Sequence, residues 1–198
     1  MSTTTSEAAA VPTAAVGRFR WVIVGLLFLA MVINYVDRQT LGLLKGDLST
    51  QFKWNETDYA DIVFWFQATY ALSYLAFGRI VDRIGARWGF GLAFLIWQLA
   101  HIGHALANSL AGFIGARLAL GVGEGGGFPG GIKAVAQWFP KKERAFATGL
   151  FNAGTNIGAI VTPLVIPVIT LAWGWRAAFV VTGLVGLIWL PIWLLVYR

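Results

Sequence analysis

Apolar residues along this chain neither alternate nor follow a helical period; they come in long blocks broken by short charged segments. Trp21 to Val36, Ile62 to Gly78, Trp88 to Ala116, Ala145 to Trp175 and Ala177 to Tyr197 contain no Asp, Glu, Lys or Arg, and Leu118 to Ile132 carries only Glu124. A bilayer core takes roughly 20 apolar residues per helix, and a helix satisfies its own backbone without water. The blocks therefore predict six transmembrane helices over about 21 to 43, 62 to 78, 88 to 107, 111 to 132, 145 to 170 and 177 to 197. Composition agrees: the 198 residues are 58% hydrophobic and 12% charged, where a soluble domain is roughly a quarter charged.

The charged connections orient these helices. Arg79, Arg83 and Arg87 crowd the second, and Lys133, Lys141, Lys142 and Arg144 the fourth, with Arg18, Arg20 and Arg198 at the ends. The odd connections carry Lys45, Lys53 and Arg176 against Asp47, Glu56, Asp58 and Asp61. Basic residues mark the cytoplasmic side, so both termini are expected in the cytoplasm of a cell (inner or plasma) membrane protein. Residues 1 to 19, small and polar at the start, read as a disordered cytoplasmic tail, and 20 to 198 as one helical domain. The net charge of +6 is scattered among connections rather than gathered on one face, which speaks against nucleic acid as a partner. Cysteine is absent, excluding disulfides, thiolate metal sites and cysteine nucleophiles.

Residues 121 to 131, GVGEGGGFPGG, fit the G-x-G-x-x-G spacing of a dinucleotide loop at Gly121, Gly123 and Gly126, with Glu143 near the position of a ribose acid. That loop needs a preceding strand, and none is predicted inside an apolar block. Glycines recurring four apart (Gly123, Gly127, Gly131; Gly126, Gly130) instead leave one helix side almost bare, so a neighbouring backbone can approach closely.

Four ionisable residues fall inside predicted spans: Asp37 and Arg38 in the first, Arg117 and Glu124 in the fourth. A central Asp, Arg or Lys costs about 2.5 to 3.5 kcal/mol on insertion scales, so these groups are expected to face a cavity or one another. Arg117 and Glu124 are two helical turns apart, stacked on one face. Guanidinium groups bind carboxylates bidentately and stay charged, which suits Arg38 and Arg117 to an anion; a carboxylate beside them can take up a proton when the substrate claims its arginine. A carboxylate also serves sodium, so the coupling ion is left open between the two. Tyr35, Tyr70, Asn152, Thr155 and Asn156 can bond substrate hydroxyls or simply one another. His101 and His104, three apart near the outer end of the third span, lack a carboxylate or third histidine at helical spacing, so no metal is expected. Pro129, Pro163, Pro167 and Pro191 are expected to mark kinks. No nucleophile and base pair can be assembled within the spans, so neither an enzyme nor a resident cofactor is expected.

The second connection reads GRIVDRIGAR, Gly78 to Arg87, which resembles the G-x-x-x-D-R-x-G-x-R signature of the major facilitator superfamily. RLALGVGEG (Arg117 to Gly125) is similar to that family's R-x-x-x-G-x-G pattern. NYVDRQTL (Asn34 to Leu41), FPGGIKAVAQWFPKKERA (Phe128 to Ala145), GLFNAGTNIGA (Gly149 to Ala159) and GWRAAF (Gly174 to Phe179) resemble the anion:cation symporters within it, the bacterial hexuronate and sugar-acid permeases above all. The resemblance implies one half of a twelve-helix fold, two inverted three-helix repeats, with the carboxy-terminal half absent. It implies alternating-access import of a hexuronate or related small organic anion by proton symport, with Arg38 and Arg117 facing the anion, Asp37 and Glu124 linked to protons, and Tyr35 and Tyr70 lining the cavity. Gly78, Asp82, Arg83, Gly85 and Arg87 are implied to form a cytoplasmic latch. Thr155, where sugar-acid relatives carry glutamine, leaves the particular sugar acid open. The expected partners are the lipid bilayer and the missing six-helix half or a second copy. An aromatic-acid or other organic-anion permease, and a membrane interaction module that transports nothing, are the alternatives.

Overall fold

The computed structural model describes residues 17–198; the first sixteen residues of the expected disordered tail lie outside them. All regular elements among the described residues are helical: α1 (Phe19–Leu43), α2 (Lys45–Phe52), α3 (Glu56–Gly103), α4 (Leu110–Glu124), α5 (Gly127–Trp138), α6 (Arg144–Trp173) and α7 (Trp175–Val196), with short 3₁₀ turns at His104–Leu106 and Lys141–Glu143. By length and composition, four helical segments, those containing α1, α3, α6 and α7, can cross a membrane.

Helix ends do not coincide with the ends of the apolar blocks. The second and third predicted spans both lie in α3, which is two helices meeting at a kink within the charged connection. The one interruption is Gly85, at φ 82° and ψ 163°, a backbone conformation closed to residues with a Cβ. The fourth predicted span holds α4 and α5, joined through Gly125 and Gly126, which keep right-handed helical torsions. At Gly125 and Gly126 the ladder shortens, with Gly126 N–H reaching the Gly123 carbonyl at 3.1 Å. Pro129 lies just beyond this tightened turn, in the first turn of α5, where a missing N–H is tolerated. Pro163 and Pro167 do lie inside α6, and Pro191 inside α7. The short α2 escapes the apolar pattern because Leu48 alone is buried along its length. Lys53, at φ 56°, closes it. Asn55 and Asp58 then start α3 with a reciprocal capping box, both bonds 2.9 Å.

Packing concentrates on α3 and α4. A Cβ added to Gly121 would lie 2.6 Å from the Phe66 carbonyl oxygen and 3.0 Å from the Tyr70 nitrogen, so the glycine stripe is where two backbones meet. Gly121→Ala must push α4 off α3 and is expected to lower stability by about 1–3 kcal/mol, as overpacking does; thermal unfolding of purified protein in detergent measures it, and an unchanged midpoint would contradict the close contact.

Two apolar clusters fill the interior. One gathers Ile23, Leu27, Phe90, Phe94, Trp97, Leu120, Phe151, Trp189 and Trp193; the other Leu41, Leu48, Ile62, Phe113, Ile166, Trp175 and Phe179. Between them, on α1, α3, α4 and α7, sit the buried polar residues Asn34, Asp37, Gln98, His101, Arg117, Glu124 and Thr182. Buried polar groups need partners, and most of these residues find them within the same layer.

Candidate functional site

Met31, Asn34, Tyr35 and Arg38 follow one another at helical spacing on α1 and share a face. With Tyr70 of α3, Glu124 of α4, Gly127 and Phe128 of α5, and Asn152 and Thr155 of α6, they line a cavity of about 210 Å³. At its centre Arg38 grips Glu124: Nε donates to Oε2 at 2.8 Å and Nη2 to the same oxygen at 2.6 Å. The Glu124 side chain is fully buried while that of Arg38 is 27% exposed, so the arginine is the member of the pair that a solute in the cavity can reach. Three aromatic rings hold the guanidinium in place, Tyr70 at 4.8 Å, Phe66 at 5.2 Å and Tyr35 at 5.7 Å from ring centroid to Cζ. Oε1 of Glu124 is buried without a hydrogen-bond partner. One oxygen is thus tied to the arginine and the other is unpaired.

Several expectations from the sequence change here. Arg117 does not bond Glu124: two turns separate them by a rise of about 10.5 Å, and the carboxylate is taken from α1 by Arg38. Arg117 is buried and lines a neighbouring cavity of about 170 Å³ with Arg38, Tyr59, Phe66 and Gln67. Its Nη2 donates to the Arg38 carbonyl at 3.4 Å, and Phe66 lies 5.4 Å from its Cζ. Asn156 is exposed on α6 and does not line the cavity with Asn152 and Thr155. Asp37 also lies elsewhere. One residue is a turn of about 100° on a helix, so Asp37 points away from Arg38 into α3, where Trp97 Nε1 and Gln98 Nε2 donate to Oδ2 at 3.1 and 3.0 Å. Its other oxygen faces His101 Nε2 at 3.2 Å. No carboxylate stands at helical spacing from His101 in the sequence; the partner comes from another helix. Among the described residues no group of three or more His, Cys, Asp or Glu could hold a metal.

At the expected latch, Asp82 accepts from Lys133 of α5 at 2.6 Å, a pairing the motif alone does not suggest, while Arg83 is exposed. Arg87 Nη2 donates to the Leu194 carbonyl, and the Trp193 indole donates to the Arg87 carbonyl at 3.0 Å. Gly85 is the hinge between these two contacts, and Gly78 has open space where a Cβ would stand. The segment thus braces α3 against α5 and α7.

A helical bundle whose polar residues form one layer between two apolar clusters, with an arginine–glutamate pair at a cavity, has intramembrane charges where membrane proteins place substrate and ion pathways. The sequence profile of the Major Facilitator Superfamily matches residues 27–198, and the chain belongs to that family. It is a multi-pass membrane protein, and the family it belongs to is one of transporters rather than enzymes. The chain is similar to the galacturonate transporter of Dickeya chrysanthemi, 34% identical over 179 residues, covering 90% of this chain and 52% of that protein. It is similar to the hexuronate transporter of Escherichia coli (strain K12), 31% identical over 179 residues, covering 90% of this chain and 41% of that one. The crystal structure of a bacterial homolog to the human lysosomal transporter Spinster, inward-facing and unoccupied, superposes with a TM-score of 0.84 at 20% identity, over 91% of this chain and 43% of that one. That last likeness concerns fold alone. The chain spans about half the length of the curated relatives it matches.

Proposed function

We propose that this chain is a six-span, amino-terminal half of an anion:cation symporter that imports a hexuronate or related sugar acid across the inner membrane by alternating access, with both its ends in the cytoplasm. The observation that carries the reading is the Arg38–Glu124 pair at the cavity wall. A substrate carboxylate in the cavity meets a permanent, ring-stacked cation whose fork matches its two oxygens. As Arg38 turns to the substrate, Glu124 loses its ionic partner in a buried place. A lone buried carboxylate is costly, and taking up a proton relieves it. Anion and proton thereby bind together. Tyr35, Tyr70, Asn152 and Thr155 surround the cavity with hydroxyls and an amide suited to a polyhydroxy acid. The relatives' transport of galacturonate and hexuronate supports the substrate class. Arg117, buried behind Arg38, adds positive potential that favours an anion, and Asp37 is a second proton-linked carboxylate.

Six spans follow from reading α3 as two membrane crossings joined at Gly85, and α4 with α5 as one. The substrate site of such carriers lies between two halves, so a second six-helix unit, whether further polypeptide or another copy of this chain, completes the cavity. The residues from Gly78 to Arg87 then act as the latch on the cytoplasmic side, with Asp82 able to exchange Lys133 for a partner in that second unit.

Uptake of labelled galacturonate into proteoliposomes tests this. The chain joined to a matching second half is expected to accumulate substrate when the outside is acidic, and substituting a sodium gradient for the pH gradient is expected to drive none. Accumulation driven by sodium would reassign the coupling ion; no uptake of any organic anion by the folded assembly would favour an interaction module instead.

A further inference from the structure

Behind the cavity wall lies a polar cluster that the anion site does not use. Asp37, Gln98, His101 and His104 are all 0% exposed. Oδ2 of Asp37 already accepts two N–H groups, from Trp97 and Gln98, both of which can only donate to it. A proton arriving at this carboxylate therefore goes to Oδ1, which has no bond beyond its approach to His101 Nε2 at 3.2 Å. The same ring nitrogen lies 2.7 Å from Thr182 Oγ1 on α7. With its one hydrogen given to the Ala178 carbonyl at 2.7 Å, that hydroxyl accepts from His101, an assignment that puts the ring hydrogen on Nε2. Nδ1 of His101 is buried with no partner at all.

These constraints leave one economical way to move a proton. An Oδ1–H that donates toward the ring needs an Nε2 without hydrogen to accept it. A proton entering at the unpaired Nδ1, with the Nε2 hydrogen passing to Oδ1, forms one N–H bond, breaks another and forms one O–H bond. The ring begins and ends neutral with its hydrogen transferred from Nε2 to Nδ1, and its freed Nε2 lone pair accepts from the new Oδ1–H. We propose that His101 is the proton relay of Asp37, exchanging ring tautomer each time the carboxylate gains or loses its proton. The proposal rests on the reading of Asp37 as a proton-linked group.

The arrangement also ties protonation to packing. Asp37 belongs to α1, His101 to α3 and Thr182 to α7, so the ring's change of tautomer alters a contact shared by three helices. Other ionisable groups that bear on the pair are Arg38 beside Asp37 on α1, Arg117 and Glu124 on α4, and His104, whose Nδ1 is committed to the Ala100 carbonyl at 2.9 Å. From α6 and α7 the crevice next to Asp37 receives Val161, Val165, Ile169, Val181 and Val185 with Thr182, none of them titratable. Among the described residues His101 is thus the imidazole in contact with Asp37.

Two measurements on the purified chain in nanodiscs, with no substrate added, decide the matter. Infrared pH titration identifies the Asp37 acid band as the one missing from Asp37→Asn, and nitrogen-15 NMR reports which ring nitrogen of His101 holds hydrogen. The hydrogen is expected on Nε2 while Asp37 is ionised and on Nδ1 once it is protonated. His101→Gln keeps a donor for Thr182 but cannot pass a proton through, and is expected to slow the appearance of the acid band after a pH jump by at least about tenfold. Hydrogen remaining on Nε2 throughout, an Asp37 band absent at every pH, or an unchanged rate in folded His101→Gln each overturn the relay. If His101→Gln does not fold, the NMR result on the unaltered chain still decides. Since neither readout involves an organic anion, loss of the sugar-acid reading would leave both outcomes intact.

Discussion

Arg38→Ala is expected to reduce galacturonate binding by about a hundredfold or more and to destabilise the empty protein at the same time. Both effects follow from one geometry. Nε and Nη2 hold Oε2 of a fully buried Glu124 side chain, and removing one member of a buried pair costs about 3–5 kcal/mol because the other charge is left alone. The bound state loses the same guanidinium from the substrate carboxylate, and each 1.4 kcal/mol is about a factor of ten. Arg38→Lys keeps the charge but loses the two-pronged donor and its stacking on Tyr70 and Phe66, so it is expected to bind nearly as badly. The double variant Arg38→Ala with Glu124→Gln separates the two consequences: stability should recover, since no buried charge is stranded, while binding should not. Thermal unfolding and equilibrium binding measured on the same preparations check this. Full binding by Arg38→Ala would remove the arginine from the anion site.

Glu124→Gln is expected to abolish accumulation against a gradient while leaving exchange of labelled for unlabelled substrate within severalfold of normal. Glutamine retains the shape and an acceptor for Arg38, so the cavity should survive, but it binds no exchangeable proton in the accessible pH range. The asymmetry matters, because a merely structural defect would depress exchange and accumulation alike. Counterflow and pH-driven uptake in the same proteoliposomes provide the comparison. Accumulation retained by Glu124→Gln would move the coupling to Asp37 alone.

How much of this is legible in the sequence depends on what residue patterns encode. Polar residues inside apolar blocks announce themselves, so Arg38, Glu124, Tyr35, Tyr70, Asn152 and Thr155 stand out from the amino-acid order alone, and the cavity does bring those six together. Pairing across helices is not written in spacing. Arg117 reads as the companion of Glu124 because both lie on one face of one helix, yet the contact belongs to α1. Asp37 and Arg38 read as a unit because they are adjacent, yet adjacency on a helix sends them to different neighbours. His101 is visible only as half of a histidine pair, since its carboxylate belongs to a helix far back in the chain but lies 3.2 Å away in space. In the fold, the charged connection marks roughly where the second crossing ends but not the residue: the helix continues past Arg79 and Arg83 and is interrupted where Gly85 adopts a positive φ. The glycine run from 121 to 131, which mimics a phosphate loop by spacing, has no strand before it among the described residues. It brings α4 against α3 and then lets the helical ladder tighten just after Glu124.

If anion and proton meet at the Arg38–Glu124 pair, protons can be counted as substrate binds. Galacturonate added to the purified assembly in weakly buffered solution, with a pH indicator present, should bring proton uptake with the anion, and Glu124→Gln should bind the anion with about one proton fewer taken up. Binding without proton uptake by the unaltered protein, or uptake undiminished in Glu124→Gln, would contradict coupling at this pair.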